Sequence, residues 1–159
     1  MSFSIEKHKD NEIWLLRARL NRCIRSFFDD DNFVEVETPI LTPRLIPEPT
    51  IDIFATRQQY SDGNYRSLYL TPSPEIWMKR IVASGLSRVF QFARCFRNIE
   101  QQGPFHEHEF TMLEWYATDE NYIEALLRME RLLSVLQNEL GSLALPCTCP
   151  PVDKIYMTQ

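Results

Sequence analysis

The sequence predicts an α+β fold, an antiparallel sheet flanked by helices, from three observations. Two runs, Val89 to Arg97 and Phe110 to Tyr116, alternate at the period of a strand. A segment bearing Gly103 and Pro104 separates them and can form a long hairpin connection. Two further stretches, Asn11 to Asp31 and Asn121 to Leu140, repeat apolar residues every three or four positions, the period of a helix.

The elements follow in order. In the first helix Ile13, Leu16, Leu20, Ile24 and Phe27 mark one face and Arg17, Arg19, Arg22 and Arg25 the other. The acidic run Asp29, Asp30 and Asp31 with Asn32 ends it and reads as a solvated helix end rather than a magnesium site. Phe33 to Val36 then favours a strand that Thr38-Pro39 stops, since proline offers no ladder donor. Leu41 to Thr50 is proline-rich and reads as a loop. Asp62-Gly63 is a turn signal, and Leu68 to Leu70 a short strand. Ser73-Pro74-Glu75 supplies an N-cap, a first-turn proline and a first-turn acid for a helix through about Ser84, with Gly85 as its stop. Gly141 is placed to end the last helix, and prolines 146, 150 and 151 form a loop after it. Lys154 to Thr158 begins an element that the chain does not finish.

Composition narrows the class. With 159 residues and 44% hydrophobic content the chain can bury one core. A net charge of -5 gives no global basic field, so a polyanion would need a local patch or another domain. Cys23 and Cys95 fall in a helix and a strand, while Cys147-x-Cys149 sits among prolines, and none of the four matches zinc-ligand spacing. Free thiols in a reducing cytoplasm are the reading, and no apolar run is long enough for a membrane span.

The paired strands carry the chemistry. Phe110, Met112, Glu114 and Tyr116 share one face of the second strand. In the first, Gln91, Ala93, Cys95 and Arg97 share a face lined by small residues, with Arg97 at its rim. That leaves room for a ligand beside a guanidinium, a carboxylate and a phenol. An acid inside an apolar strand wants a partner, since burying a charge is costly unless it is paired.

FRNIE, GPFHEHEF and TMLEWY together resemble motif 2 of the class II aminoacyl-tRNA synthetases, in the lysyl, aspartyl and asparaginyl branch. SPEIWMKR is similar to the amino-acid-recognition segment of that branch, and FFDDDNFVEVETPILTP resembles motif 1, with Asn32 where the family usually has glycine. The wording TPSPE, RVFQFARCFRN and EFTMLEWY resembles most the lysyl-tRNA synthetase-like paralogues of the GenX/PoxA type, the elongation factor P β-lysine ligases.

This resemblance implies a class II synthetase-type sheet, ATP as co-substrate, and lysine or β-lysine as the amino acid. It implies Arg97 as the catalytic residue that holds the α-phosphate and the substrate carboxylate. Arg97, Asn98, Glu100, His106, Glu107 and Phe110 form the implied ATP-contacting set, with Phe110 stacked on adenine. Ser73, Glu75, Glu114 and Tyr116 would hold the amino acid. The loop departs from the pattern: Ile99 stands where the family has glutamate, so one added residue gives Glu100 the adenine-contacting role. Glu107 replaces an asparagine associated with ATP, and a carboxylate near a triphosphate is repulsive without a cation or proton between them. His106-x-His108 lacks the spacing of a helical zinc site, so no metal ligand is assigned here.

Motif 3 and an anticodon-binding barrel are not found, so residues 1–159 read as a partial catalytic domain, with Mg2+ ligands expected in the C-terminal part that is missing. The acceptor is expected to be a lysine of elongation factor P, with transfer to tRNA, as in a lysyl- or asparaginyl-type synthetase, as the alternative. A non-catalytic paralogue that dimerises or binds a partner is a further one. The resemblance also implies a homodimer through Asn11 to Pro39, in the cytoplasm and away from membranes.

Overall fold

The structure, a computed structural model, describes residues 9–44, 49–98 and 106–141. It is α+β, and it divides into two compact units, residues 33–119 and the remainder.

The unit of residues 33–119 holds two three-stranded sheets. In the first, β5 (Arg88–Phe96) lies between β1 (Val34–Glu35) and β6 (Glu109–Ala117). β5 and β6 are antiparallel over their full length, from Arg88 opposite Ala117 to Phe96 opposite Glu109, as the paired alternation predicts. β1 runs parallel to β5, so the sheet is mixed rather than wholly antiparallel. In the second sheet β4 (Tyr65–Leu70) lies between β2 (Leu41–Thr42) and β3 (Ala55–Gln59). All three strands differ from the sequence reading, β4 by starting three residues before the expected Leu68. β2 falls in the expected loop, and β3 is a strand with every residue exposed and no apolar alternation to mark it. The turn between β3 and β4 uses Gly63 at φ 85, a left-handed conformation that glycine adopts without strain.

The two sheets are tied by backbone bonds through Thr71, whose N–H donates to the Ile40 carbonyl and whose carbonyl accepts from the Phe96 N–H, at 2.9 and 3.0 Å. Helix α2 (Glu75–Ala83) follows. Its N-cap position is Pro74 rather than Ser73, since the first bonds of the helix, from the Trp77 and Met78 N–H groups, go to the Pro74 carbonyl. The Ser73 hydroxyl still accepts the Glu75 N–H at 3.2 Å, so capping survives one residue out of register. Gly85, at φ 115, closes the helix as expected. Met78, Val89, Phe90, Ala93 and Cys95 are the buried apolar residues around α2 and β5.

The other unit pairs α1 (Lys9–Asp30) with α3 (Tyr122–Gly141). α1 ends where Asn32 takes φ 59 and donates its N–H to the Asp29 carbonyl. α3 starts with a reciprocal cap: the Asn121 side chain accepts the Ile123 and Glu124 N–H groups, and Glu124 accepts the Asn121 N–H. Asp31 is not a solvated helix end. It pairs with Arg128 and Arg131, and the buried Arg128 also pairs with Glu120. On α3 the buried positions are Arg128 and Leu132, whereas the apolar Ile123, Leu126 and Leu127 are exposed.

Candidate functional site

The antiparallel register decides which side chains share a face. Residues directly opposite one another in an antiparallel pair point to the same side of the sheet. Tyr116 lies opposite Val89, Glu114 opposite Gln91, Met112 opposite Ala93 and Phe110 opposite Cys95. Beyond the last pair the Arg97 N–H donates to the His108 carbonyl at 3.0 Å, which extends the ladder by one step and places Arg97 at the end of this face.

At that end the Arg97 guanidinium carbon lies 5.2 Å from the centre of the Phe110 ring, a cation–π contact. A cation and an aromatic platform are therefore presented together. Asn98 is exposed, and its N–H is taken by the Asp52 carbonyl at 2.9 Å, which fixes the turn after Arg97. His106 and Glu107 are both exposed. His108 reaches back: its Nδ1 sits 3.0 Å from the Arg97 carbonyl, and its ring meets Phe54 edge-on. Glu100 lies outside the described residues.

At the other end the acidic residues converge. Glu114 uses both carboxylate oxygens, accepting the Tyr116 hydroxyl at 2.7 Å on one and the Ser73 hydroxyl at 3.3 Å on the other. Ser73 is itself held, since the Thr71 hydroxyl donates to its carbonyl at 2.8 Å and the prolines on either side of it are fully buried. The rigid Thr71 to Pro74 segment is thus what brings the start of α2 onto the strand face. Burial, then the hydrogen bond to Glu114, then the charges of Glu114 and Glu75 hold the Tyr116 phenol far above its ordinary value of 10.0, so it stays a proton donor. Glu75 pairs with Lys79 one turn along α2, and that bond raises the lysine above 10.5, with Glu114 adding a smaller push.

Ser73, Glu75, Glu114 and Tyr116 therefore form one cluster, and Arg97 and Phe110 another on the same strand face. Sequence reasoning passed over two residues. Lys79 lies one helical turn after Glu75, a spacing that could have flagged it. Gln91, 5% exposed, stands opposite Glu114, and its Oε1 has no hydrogen-bond partner among the described residues. An amide within a run of small residues gives no signal of its own until the register is known.

A cavity of about 360 Å³ lies elsewhere on α2, against Trp77 and Arg80, and includes none of the expected site residues. Among the described residues no group of three or more His, Cys, Asp or Glu side chains could hold a metal ion. No described helix is long and apolar enough to cross a membrane.

Comparison with known proteins gives the site its family. The model of the class II tRNA synthetases (D, K and N) matches residues 2–155. The chain is also similar to proteins named elongation factor P--(R)-beta-lysine ligase. That of Haemophilus influenzae is 34% identical over 142 residues, covering 89% of this chain and 41% of the relative. That of Buchnera aphidicola is 37% identical over 117 residues, 74% of this chain and 35% of the relative. That of Salmonella arizonae is 45% identical over 105 residues, 64% and 31%. The chain spans about a third of the length of the curated relatives it matches. With the family model covering nearly all its length, this chain belongs to the class II tRNA synthetases of the D, K and N type.

Proposed function

We propose that this chain is part of an ATP-dependent ligase that activates lysine or β-lysine as the aminoacyl-adenylate and passes the acyl group to a lysine of elongation factor P. The observation that carries the reading is the single strand face holding Arg97 over Phe110 at one end and Glu114, gripped by Ser73 and Tyr116, at the other. A diamino acid has a carboxylate at one end and an ammonium at the other, so it matches both ends of such a face. The names of the relatives support the same acceptor and amino acid.

The substrate carboxylate would attack the α-phosphorus of ATP as the bond to pyrophosphate breaks, and the acyl group would then pass to the acceptor amine with AMP as the leaving group. Arg97 would hold the α-phosphate beside that carboxylate, where a planar, permanently charged and bidentate guanidinium suits both groups. Phe110 would stack on adenine. It offers a preformed aromatic surface on a strand, and Arg97 already lies across that ring. Glu114 and Glu75 would take the substrate ammonium groups, with Lys79 giving way at Glu75. Ser73 and Tyr116 would fix the Glu114 carboxylate so that it meets the ligand without reorganising. Asn98, Glu100, His106 and Glu107 would contact ATP, as the resemblance to motif 2 implies. No step is assigned to Mg2+, since the described residues offer no cluster that would hold it. We place the activity in the cytoplasm and the chain in a homodimer through Asn11 to Pro39.

The test is amino-acid-dependent ATP–pyrophosphate exchange, with lysine and β-lysine assayed separately, by the protein that carries these residues. Arg97→Ala should lower exchange by roughly 100-fold or more, the usual loss for a group that stabilises developing charge, while circular dichroism shows an unchanged fold. Undiminished exchange in Arg97→Ala rejects its role. Exchange driven by aspartate or asparagine but by neither diamino acid rejects the substrate class. Labelling of tRNA without labelling of elongation factor P rejects the acceptor.

A further inference from the structure

The amide of Gln91 is the one feature of this face that the proposed roles leave unexplained. Gln91 is 5% exposed, and its Oε1 is buried with no hydrogen-bond partner among the described residues. Its backbone is absorbed in the β5–β6 ladder, so the side chain is not needed to complete the sheet. A buried acceptor left unsatisfied has lost its bond to water without replacing it, a cost that a folded chain rarely carries without a use.

Position tells what the use is. Gln91 stands directly opposite Glu114, so both side chains leave the sheet on the same side. Arg97 is six residues along β5 from Gln91, about 20 Å of extended backbone, so Gln91 belongs to the end of the face away from the guanidinium.

We propose that Gln91 Oε1 accepts a hydrogen bond from the distal ammonium of the bound diamino acid, completing a site whose charged member is Glu114. The inference rests on the reading of lysine or β-lysine as substrate. An ammonium carries three donors and no acceptor. Glu114 keeps lone pairs beyond those used by Ser73 and Tyr116, the Tyr116 oxygen can accept while its proton goes to Glu114, and Gln91 supplies the third acceptor. A neutral amide here satisfies the third N–H without placing a second carboxylate opposite the first. An amino acid without the distal ammonium leaves the buried Gln91 acceptor facing nothing, which makes Gln91 a determinant of specificity as well as affinity.

The experiment is calorimetric binding of L-lysine, (R)-β-lysine and norleucine, which lacks the distal amine, to the full chain and to Gln91→Met. Methionine keeps the length and shape of the side chain and removes the acceptor. Both diamino acids should bind Gln91→Met about 10-fold more weakly, norleucine should bind the two proteins alike, and the unliganded melting temperature should hold or rise, because an unsatisfied acceptor has been removed. Gln91→Leu, read the same way, covers the case in which the methionine variant does not fold. Equal lysine affinity in wild type and variant overturns the role of Gln91 and leaves the substrate reading standing. A wild-type chain that binds norleucine as well as lysine overturns the substrate reading, and Gln91 with it.

Discussion

At Cys95, burial and then the Glu114 carboxylate push the thiol from its ordinary 9.0 up to about 11. The residue is fully buried, so the shift needs little discount for solvent screening. A raised pKa in the folded state contributes stability that is fully present below the unfolded value and is lost as pH rises through the folded one. Unfolding free energy should therefore start to fall above about pH 9 and lose about 2 kcal/mol by pH 11 from this group. Tyr116, also raised, takes over above pH 10. Urea melts from pH 7 to 11 would show the decline, and Cys95→Ala should flatten its first part. An identical slope in the variant refutes the assignment. The same burial predicts that Cys95 resists alkylation at pH 8 until the chain unfolds. Legibility at this scale was uneven. Strand alternation puts Arg97, Phe110, Glu114, Tyr116 and Gln91 on their faces, but only the first four gain an expected role from the resemblance to motif 2, and Gln91 became meaningful only through its partner across the ladder.

Among the elements, the long periodic ones were legible and the short polar ones were not. α1, α3, β5 and β6 announce themselves through repeated apolar residues, and their observed bounds lie within about two residues of those expected. β3 has no apolar alternation because all its residues face solvent, and β2 is a two-residue strand whose pairing depends on Tyr69 and Leu70 rather than on its own composition. The start of α2 moved one residue because the Ser73 carbonyl takes the Thr71 hydroxyl, and the first bonds of the helix go instead to the Pro74 carbonyl. The α1–β1 turn shows how a substitution within a family pattern is tolerated. Asn32 sits where glycine is usual, and it has the left-handed φ of 59 that glycine takes freely and asparagine more readily than most. Asn32→Gly should change the unfolding free energy by only a few tenths of a kcal/mol, whereas Asn32→Val should cost about 1–2 kcal/mol. Equal stability of the two variants in urea would mean that the turn does not depend on this conformation.

Each of the two units of the molecule leaves apolar side chains exposed. The first turns of α1 expose Ile13, Trp14 and Leu15 to 60%, 65% and 71%, and the β1–β2 region exposes Val34, Ile40 and Leu41. Single exposed apolar residues are ordinary, but three in succession on one helix, including a tryptophan, fit a surface meant to be buried. All six residues fall within or just beyond the Asn11 to Pro39 stretch in which the resemblance to motif 1 puts a dimer contact. A self-association surface of this kind is isologous, so one substitution is felt twice per dimer. Leu15→Glu should therefore shift the chain from dimer to monomer in sedimentation velocity at a fixed micromolar concentration. It should leave helix content unchanged, because glutamate is a good helix former and the position is exposed in the chain alone. Dimers that persist in Leu15→Glu would place the contact away from the start of α1, and a wild-type chain that stays monomeric as its concentration rises would remove the homodimer altogether.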